Sequence, residues 1–463
     1  MAPIALWLAF APAPASSTVA QVQVVDPFAI FEAMRSARVA DVRRVGVLCT
    51  EPAHVAAARA AGAGAVVAVG EPLALAAAAP DVLARPEELD SLIAERYGRD
   101  GAQRRLVLLN PGPALTSDAV KRAAGGADLC HREPEYRALD LRLRAKLRRL
   151  AALDETWRIA LLSGSGTAAN EASVRAAVRA GKRLLVVVNG VYGARLRETA
   201  TRAGIEVAAI EGSWTEPIDV ATVEAALRER DGFDALAVVH HETTTGLLNP
   251  VGALARAATA TETVTVVDAI SSFGVEELDV QPLDFVTCTS NKCLHGLPGA
   301  SFVLVSPTGA RRAAEVEPTS VALDLGAYLM VEESGSPPFT PAIPALASLD
   351  TALDLALAEG IDGRRRRYAA RCAILDEAID RLGLEQLVAA PARSHSIRSV
   401  RLPPAVTFEA LHERLRADGF VVYAGQGALA AEIFRIACMG ELEPADLERF
   451  VPALERALAE LCS

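Results

Sequence analysis

The stretch Val264-Thr-Val-Val-Asp268-Ala-Ile-Ser-Ser-Phe-Gly274, continued after a short gap by Phe285-Val-Thr-Cys-Thr-Ser-Asn-Lys292, decides the fold. Each half is a short run of apolar and β-branched residues that stops at a polar word. Continuous runs of this kind, without strict alternation, belong to strands buried on both faces, as in a parallel sheet covered by helices. The same unit recurs outward. Ile159–Leu162, Leu184–Val188, Val207–Ile210 and Ala235–Val239 precede it, Phe302–Val305 follows it, and Leu106–Leu109 reads as the first of the series. Helical segments lie between them, so the expected class is α/β with a mostly parallel sheet.

Beyond residue 350 the order changes to a long helix, a strand (Ser396–Leu402), a helix (Phe408–Ala417), short strands (Phe420–Tyr423, Ile433–Ile436) and a last helix (Pro444–Leu461). That is a smaller α+β domain. In the first hundred residues, strands at Arg44–Leu48 and Ala65–Val69 flank an Ala-rich helix at Pro52–Ala61. The expected division is a small α/β appendage over 1–102, a large domain over 103–350 and a C-terminal domain over 351–463.

Bulk properties exclude several classes. The 463 residues are 51% hydrophobic and 23% charged, a globular composition. The formal net charge of −11 argues against a nucleic-acid partner, which requires a basic face. The Arg run at 364–367 is the exception, and it reads as a solvated face at the start of a helix. The seven cysteines (Cys49, Cys130, Cys288, Cys293, Cys372, Cys438 and Cys462) are scattered, without metal-ligand spacing, which fits a reducing cytoplasm. Ile4 to Phe10 is apolar, but no Lys or Arg precedes it, so a secretory leader is not expected. No run approaches the ~20 apolar residues of a membrane span.

The polar words at strand ends carry the chemistry, because ligands of such sheets bind there. Ser163-Gly-Ser-Gly-Thr-Ala-Ala-Asn170 puts glycines and hydroxyls before a helix, an arrangement that suits an anion. An ordinary strand-to-helix turn is the alternative. Asp268 ends its strand as a carboxylate that needs a cation, or else caps the next turn. Lys292, one strand further, stands in a Gly- and Pro-punctuated loop where desolvation would free its amine for Schiff-base chemistry. Tyr192, in Asn189-Gly-Val-Tyr-Gly-Ala-Arg195, offers either a stacking face or a core side chain. His240-His-Glu-Thr-Thr-Thr-Gly246 brings three hydroxyls to a strand end; its two histidines lack companion ligands, and no metal is expected. Arg435 interrupts an apolar strand and wants an anion, either a ligand's acid group or an internal acid.

In this order, and together with Asn110-Pro-Gly-Pro and Cys130-His-Arg-Glu-Pro-Glu-Tyr136, these words resemble the fold-type I, class V aminotransferases that depend on pyridoxal 5′-phosphate. The resemblance spans roughly residues 105–463. It is strongest to the branch acting on 2-aminoethylphosphonate and pyruvate; neighbouring branches use alanine with glyoxylate, serine with pyruvate, or phosphonopyruvate. It implies that Lys292 binds the cofactor as a Schiff base and that Asp268 pairs with its ring nitrogen. Tyr192 would stack on the ring, Ser165, Gly166 and Thr167 would cradle the phosphate, and Thr244 would sit at the phenolic side. Arg435 would clamp the substrate's acid group, with Asn110 and Gly112 on the substrate side and Arg132 a candidate second anion binder. Thr340 would reach a partner's phosphate across a homodimer interface. The partners implied are small-molecule amines and 2-oxo acids. A lyase or desulfurase on the same fold is the rival, although no cysteine sits on an obvious mobile loop.

The first hundred residues resemble the phosphonatase-like branch of the haloacid-dehalogenase-type hydrolases through Asp26-Pro-Phe-Ala-Ile-Phe-Glu-Ala-Met34, Val45-Gly-Val-Leu-Cys-Thr-Glu-Pro52 and Ala58-Arg-Ala-Ala-Gly-Ala-Gly-Ala-Val-Val67. The family's Asp-x-Asp nucleophile strand is missing, and Cys49-Thr-Glu-Pro-Ala-His54 stands where its metal acids belong. A catalytically silent segment is therefore expected.

Overall fold

The computed structural model describes residues 106–229 and 232–462, together with five strands among the preceding residues. The chain divides into two compact units, Met1–Leu106 and Val107–Ser463. In the first, β1 (Leu6–Ala9), β2 (Gln21–Gln23), β3 (Val45–Cys49), β4 (Ala65–Val69) and β5 (Val82–Ala84) form one parallel sheet in the order β2-β1-β3-β4-β5. The apolar run near the start is thus a strand. Both strands expected here are present, shifted by at most one residue. The expected helix at 52–61 and Glu51 lie outside the described residues.

The second unit is built on a seven-stranded sheet. Its strands are β6 (Arg158–Ser163), β7 (Arg183–Val188), β8 (Glu206–Glu211), β9 (Ala235–Val239), β10 (Val264–Asp268), β11 (Phe285–Thr289) and β12 (Ala300–Val305). The order is β6-β12-β11-β10-β9-β7-β8, and only β12 runs antiparallel to its neighbours. Alternate residues go to opposite faces, and both faces are covered. Leu185, Val187, Leu236 and Val238 join one core cluster, while Leu184, Val186, Ala235 and Ala237 join the other. Two-sided burial is why these strands read as unbroken apolar runs, at about 1.5–3 kcal/mol for each large side chain removed from water.

Helices α1 (Gly166–Ala177) and α2 (Val191–Arg202) follow β6 and β7 directly. Helices α3 (Ile343–Glu359) and α4 (Ile361–Arg381) meet at Gly360, whose φ of 73° is in the left-handed region, so the single long helix expected beyond residue 350 is broken there. The C-terminal layer adds β13 (Ile397–Arg401), β14 (Tyr423–Ala424) and β15 (Ile433–Ala437), antiparallel in the order β13-β15-β14, and a last helix, Pro444–Cys462.

Two expectations are corrected. Val107–Leu108 does not join the large sheet; it pairs in parallel with Phe420–Val421, and Val107 and Leu109 pack with Phe434 and Phe450 in the C-terminal core. A short apolar run shows burial but not which core it fills. The Arg run at 364–367 is not simply a solvated face. Arg364 is 2% exposed, with Nε 3.0 Å from Glu359, and Arg367 holds the same carboxylate at 2.6 Å. Among the described residues, no helix is long and apolar enough to cross a membrane.

Candidate active site

Strands β6, β7, β9, β10 and β11 run parallel or reach the same edge of the sheet, and their polar words meet there. A cavity of about 180 Å³ gathers Ser165, Gly166, Thr167, Tyr192, Asp268 and Lys292, which are scattered over 128 positions of sequence. A larger groove of about 610 Å³ lies elsewhere, beside Arg179 and Asp234. Its charged groups neutralise one another: Arg179 meets Asp234 at 2.7 Å and Glu315 at 3.3 Å.

Asp268 ends β10 and is 4% exposed. Its Oδ2 accepts a hydrogen bond of 2.6 Å from Asn170 on α1, and its Oδ1 accepts one of 3.0 Å from the Ile270 amide. Asn170 is fixed in turn by the Thr287 hydroxyl, which donates to its Oδ1. The carboxylate therefore does cap its own turn. It still has no basic side chain within ion-pair distance among the described residues. Burial pushes its carboxyl up, against the pull of Asn170, the Ile270 amide and the charge of Lys292.

Lys292 follows β11, in a loop pinned at both ends. Asn291 accepts from Thr289 Oγ1 at 2.8 Å through its side chain and from the Ala114 amide at 3.0 Å through its carbonyl. The Lys292 side chain runs beneath the Asn110-Pro-Gly-Pro turn, where Nζ donates to the Pro111 carbonyl. Gly112 makes that passage possible. A Cβ there would lie 2.7 Å from Cδ, Cε and Nζ of Lys292, and its φ of +118° is one that a side chain disfavours. Asn110 is buried and holds the turn through Nδ2, which donates to the Pro113 carbonyl at 3.2 Å. Burial lowers the pKa of the Lys292 amine, which favours the neutral, nucleophilic form.

Ser165 caps α1 in extended conformation, but its hydroxyl makes no capping bond. The first amides of α1 and the Ser165 and Thr167 hydroxyls border the cavity. Gly166 is packed against Ile270 so closely that a Cβ would collide with it. The turn thus keeps backbone donors and a free hydroxyl at a helix N-terminus, where an anion is stabilised.

On the opposite side, Glu242 organises the wall. It is fully buried and accepts from the Tyr192 and Gly193 amides at 3.1 Å each, and from Thr244 Oγ1 at 2.6 Å. Thr244 Oγ1 also accepts from the Val191 amide at 3.1 Å. Thr244 thereby fixes the start of α2. It does not line the cavity, whereas Thr243 does. Tyr192 lines the cavity, with the Arg195 guanidinium 4.7 Å from its ring centroid. His241 also lines it; Nδ1 bonds the Ser271 carbonyl at 2.9 Å, and Nε2 is buried without a partner.

Arg435 on β15 is 2% exposed. It donates to the carbonyls of Ala424 (2.8 Å) and Thr243 (2.9 Å) and to Gln426 Oε1 (3.3 Å). No acid pairs with it among the described residues, so the internal-ion-pair alternative is not realised. Among the described residues its Nη2 makes no hydrogen bond. Arg132 and Thr340 are both exposed and stand apart from the cavity of their own chain. Arg132 makes no ion pair with Glu135, and Thr340 borders a small pocket beside Tyr136 and Pro341.

Sequence reading missed Asn170, Glu242, Thr243 and Arg195. Glu242 was open to detection as an acid inside an otherwise neutral strand-end word. The bond from Asn170 to Asp268 spans 98 positions, and no local pattern announces it.

The donor set fits pyridoxal phosphate. It offers an anion turn for a phosphate, an unpaired buried carboxylate for a protonated ring nitrogen, an amine of lowered pKa for the aldehyde and an aromatic wall beside them. Comparison with known proteins agrees. The model of the class V aminotransferases matches residues 130–439. The chain is 36% identical over 360 residues to the 2-aminoethylphosphonate–pyruvate transaminase of Vibrio vulnificus, covering 76% of this chain and 97% of that protein. It is 32% identical over 366 residues to the enzyme of that name from Pseudomonas aeruginosa, covering 78% and 98%. Among solved structures, pyridoxamine–pyruvate aminotransferase from Mesorhizobium loti superposes with a TM-score of 0.73 at 26% identity, covering 78% of this chain and 93% of that one. Ureidoglycine–glyoxylate aminotransferase from Bacillus subtilis, at 24% identity and a TM-score of 0.74, shares the fold. The matched span holds the anion turn, the carboxylate and the amine on one sheet edge, and on that ground this chain belongs to the class V, pyridoxal-phosphate-dependent aminotransferases.

Proposed function

We propose that the chain moves an amino group between 2-aminoethylphosphonate and pyruvate, giving phosphonoacetaldehyde and L-alanine, in either direction. The observation that carries this reading is Arg435. A buried guanidinium that among the described residues meets only neutral acceptors, with no hydrogen bond at Nη2, is a seat for a substrate's acid group. The relatives named for this reaction, aligned nearly end to end, supply the substrate class. Arg435 suits a carboxylate as well, which keeps the alanine–glyoxylate exchange named for a structural relative from Nostoc as the second reading.

In this reading Ser165, Gly166 and Thr167 hold the cofactor's phosphate, Asp268 its ring nitrogen and Tyr192 one ring face. Bound there, the cofactor supplies an electron sink for the carbon that loses its proton. Arg435 orients the substrate by its acid group. The Lys292 Nζ, once displaced and neutral, takes the proton from the carbon bearing the amine and returns it to the cofactor side. The Asn110–Pro113 turn keeps that amine on one line of approach.

A homodimer is part of the proposal. Thr340 is free to serve a second subunit, and Leu141, Met330 and Phe339 are exposed apolar side chains on the same unit. The scattered cysteines support a cytoplasmic setting. The open parallel sheet of the first unit supports its phosphonatase-like resemblance, and with it an origin in phosphonate metabolism. The deciding experiment incubates the enzyme with 2-aminoethylphosphonate and pyruvate and measures alanine. Alanine formation at a rate above that with glyoxylate and alanine supports the proposal. No alanine, with turnover of the carboxylate pair, replaces it with the second reading.

A further inference from the structure

The loop that carries Lys292 is tied to the C-terminal layer by polar groups to which the proposed mechanism gives no part. His295 is at their centre. It is 2% exposed and holds a φ of 63°, a left-handed conformation that costs a side-chain-bearing residue energy and persists only where its surroundings over-determine it. Its amide donates to the Lys292 carbonyl at 3.0 Å. Its ring is held at both nitrogens: Nδ1 is 2.8 Å from Glu441 Oε1, and Nε2 is 2.6 Å from the Tyr368 hydroxyl and 3.2 Å from the Gly440 amide. The Gly440 amide is shared, donating to Nε2 and at the same 3.2 Å to the Tyr368 hydroxyl; with Nε2 accepting, Nδ1 carries the proton given to Glu441. The ring is therefore a neutral strut between two chain segments.

Those two segments are the ones the reaction needs to coordinate. Gly440 and Glu441 lie three and four residues beyond the end of β15, the strand that holds Arg435. Arg371 on α4 fixes the same segment by donating to the Cys438 (3.2 Å) and Gly440 (3.0 Å) carbonyls. On the loop side, Arg364 donates to the Cys293 carbonyl at 2.7 Å, next to Lys292. A displacement of the β15 end therefore has a short polar route to the lysine peptide, and it runs through the imidazole.

We propose that His295 is a positioning residue that couples the strand bearing Arg435 to the Lys292 amine, so that seating the substrate's acid group also sets the amine for proton transfer. The inference rests on the roles given above to Lys292 and Arg435. Glycine would take the same φ without strain, so the imidazole is what the position uses.

The test compares holoenzyme carrying His295→Gly, Glu441→Ala, both together, and His295→Asn. None of these residues borders the cavity. Three readouts are taken: kcat and KM, the pH midpoint of the bound cofactor's visible band, and Tm. Each single change is expected to lower kcat roughly tenfold with a smaller effect on KM, as misplacement of a reacting group does. Each is also expected to move the band's midpoint. The double variant should lose no more than the worse single one, because the pair acts as a unit. His295→Asn, which tolerates the left-handed φ and keeps a donor, should recover part of the loss. Variants that keep kcat within about twofold and the midpoint in place, with only Tm lowered, reduce His295 to packing and overturn the inference. Losses that multiply in the double variant overturn it too. A wild-type protein without a visible band defeats the functional reading and this inference with it; a normal wild-type band with unmoved variants defeats this inference alone.

Discussion

Asp268 and Lys292 were legible as positions because one ends a buried strand with a charge and the other stands in the loop just after the next strand, where a charge out of water needs a use. The groups that make them work were not. Asn170 orients the Asp268 carboxylate from 98 positions away, and Gly112 clears the path of Lys292 from the far end of the unit. Such contacts are set by how strands are ordered, which a linear pattern does not contain. Thr244 shows how far a local word reaches. The hydroxyl-rich word was located, but Glu242 takes the Thr244 hydroxyl at 2.6 Å and Thr243 faces the cavity instead. At this scale the account predicts that Asp268→Asn retains the fold and loses at least ~100-fold in kcat, because an amide does not hold a protonated ring nitrogen. Steady-state kinetics check it, and a loss of only a few-fold would show that Asp268 is a turn cap and no more.

The strands of the large sheet were placed by the sequence to within two residues at either end, since burial on both faces leaves one pattern only, whereas the helices between them were expected without bounds. Strand Val107–Leu108 and the two-residue strands of the C-terminal layer were harder, because a run this short carries no period. The break at Gly360 and the burial of Arg364 share a cause: the first turn of α4 packs against the Lys292 loop, so its arginines meet Glu359 and a carbonyl in place of water. The start of α2 is held by the Glu242 carboxylate and by Thr244, which that carboxylate fixes in turn. Glu242→Gln would set an NH₂ against N–H donors and leave at least one buried amide unpaired, at a cost of about 1–3 kcal/mol. A lowered Tm together with a raised KM for both substrates is expected, because Tyr192 moves with the helix. A Tm unchanged within error would refute the clip.

At the scale of the molecule, stability and pH are linked through buried bases. Burial lowers His240 from its usual 6.5 to about 4. A base held neutral inside the fold, and free to take a proton once unfolded, contributes stability that is complete above about pH 6.5 and is lost as the pH falls towards about 4. His240→Gln should therefore flatten the curve of unfolding free energy against pH within that window, whatever it does to the absolute value. Denaturant titrations at several pH values test this, and a variant whose curve is as steep as wild type contradicts it. The division into two units also belongs here: the residues described as lining the cavity all belong to the second unit.

The central claim is that one amine, Lys292, receives the aldehyde of pyridoxal phosphate. Loading the protein with the cofactor, reducing with borohydride, and mapping the modified peptide by mass spectrometry tests it directly. The account predicts a single phosphopyridoxyl group on Lys292. Modification of another lysine, or of none, would contradict it.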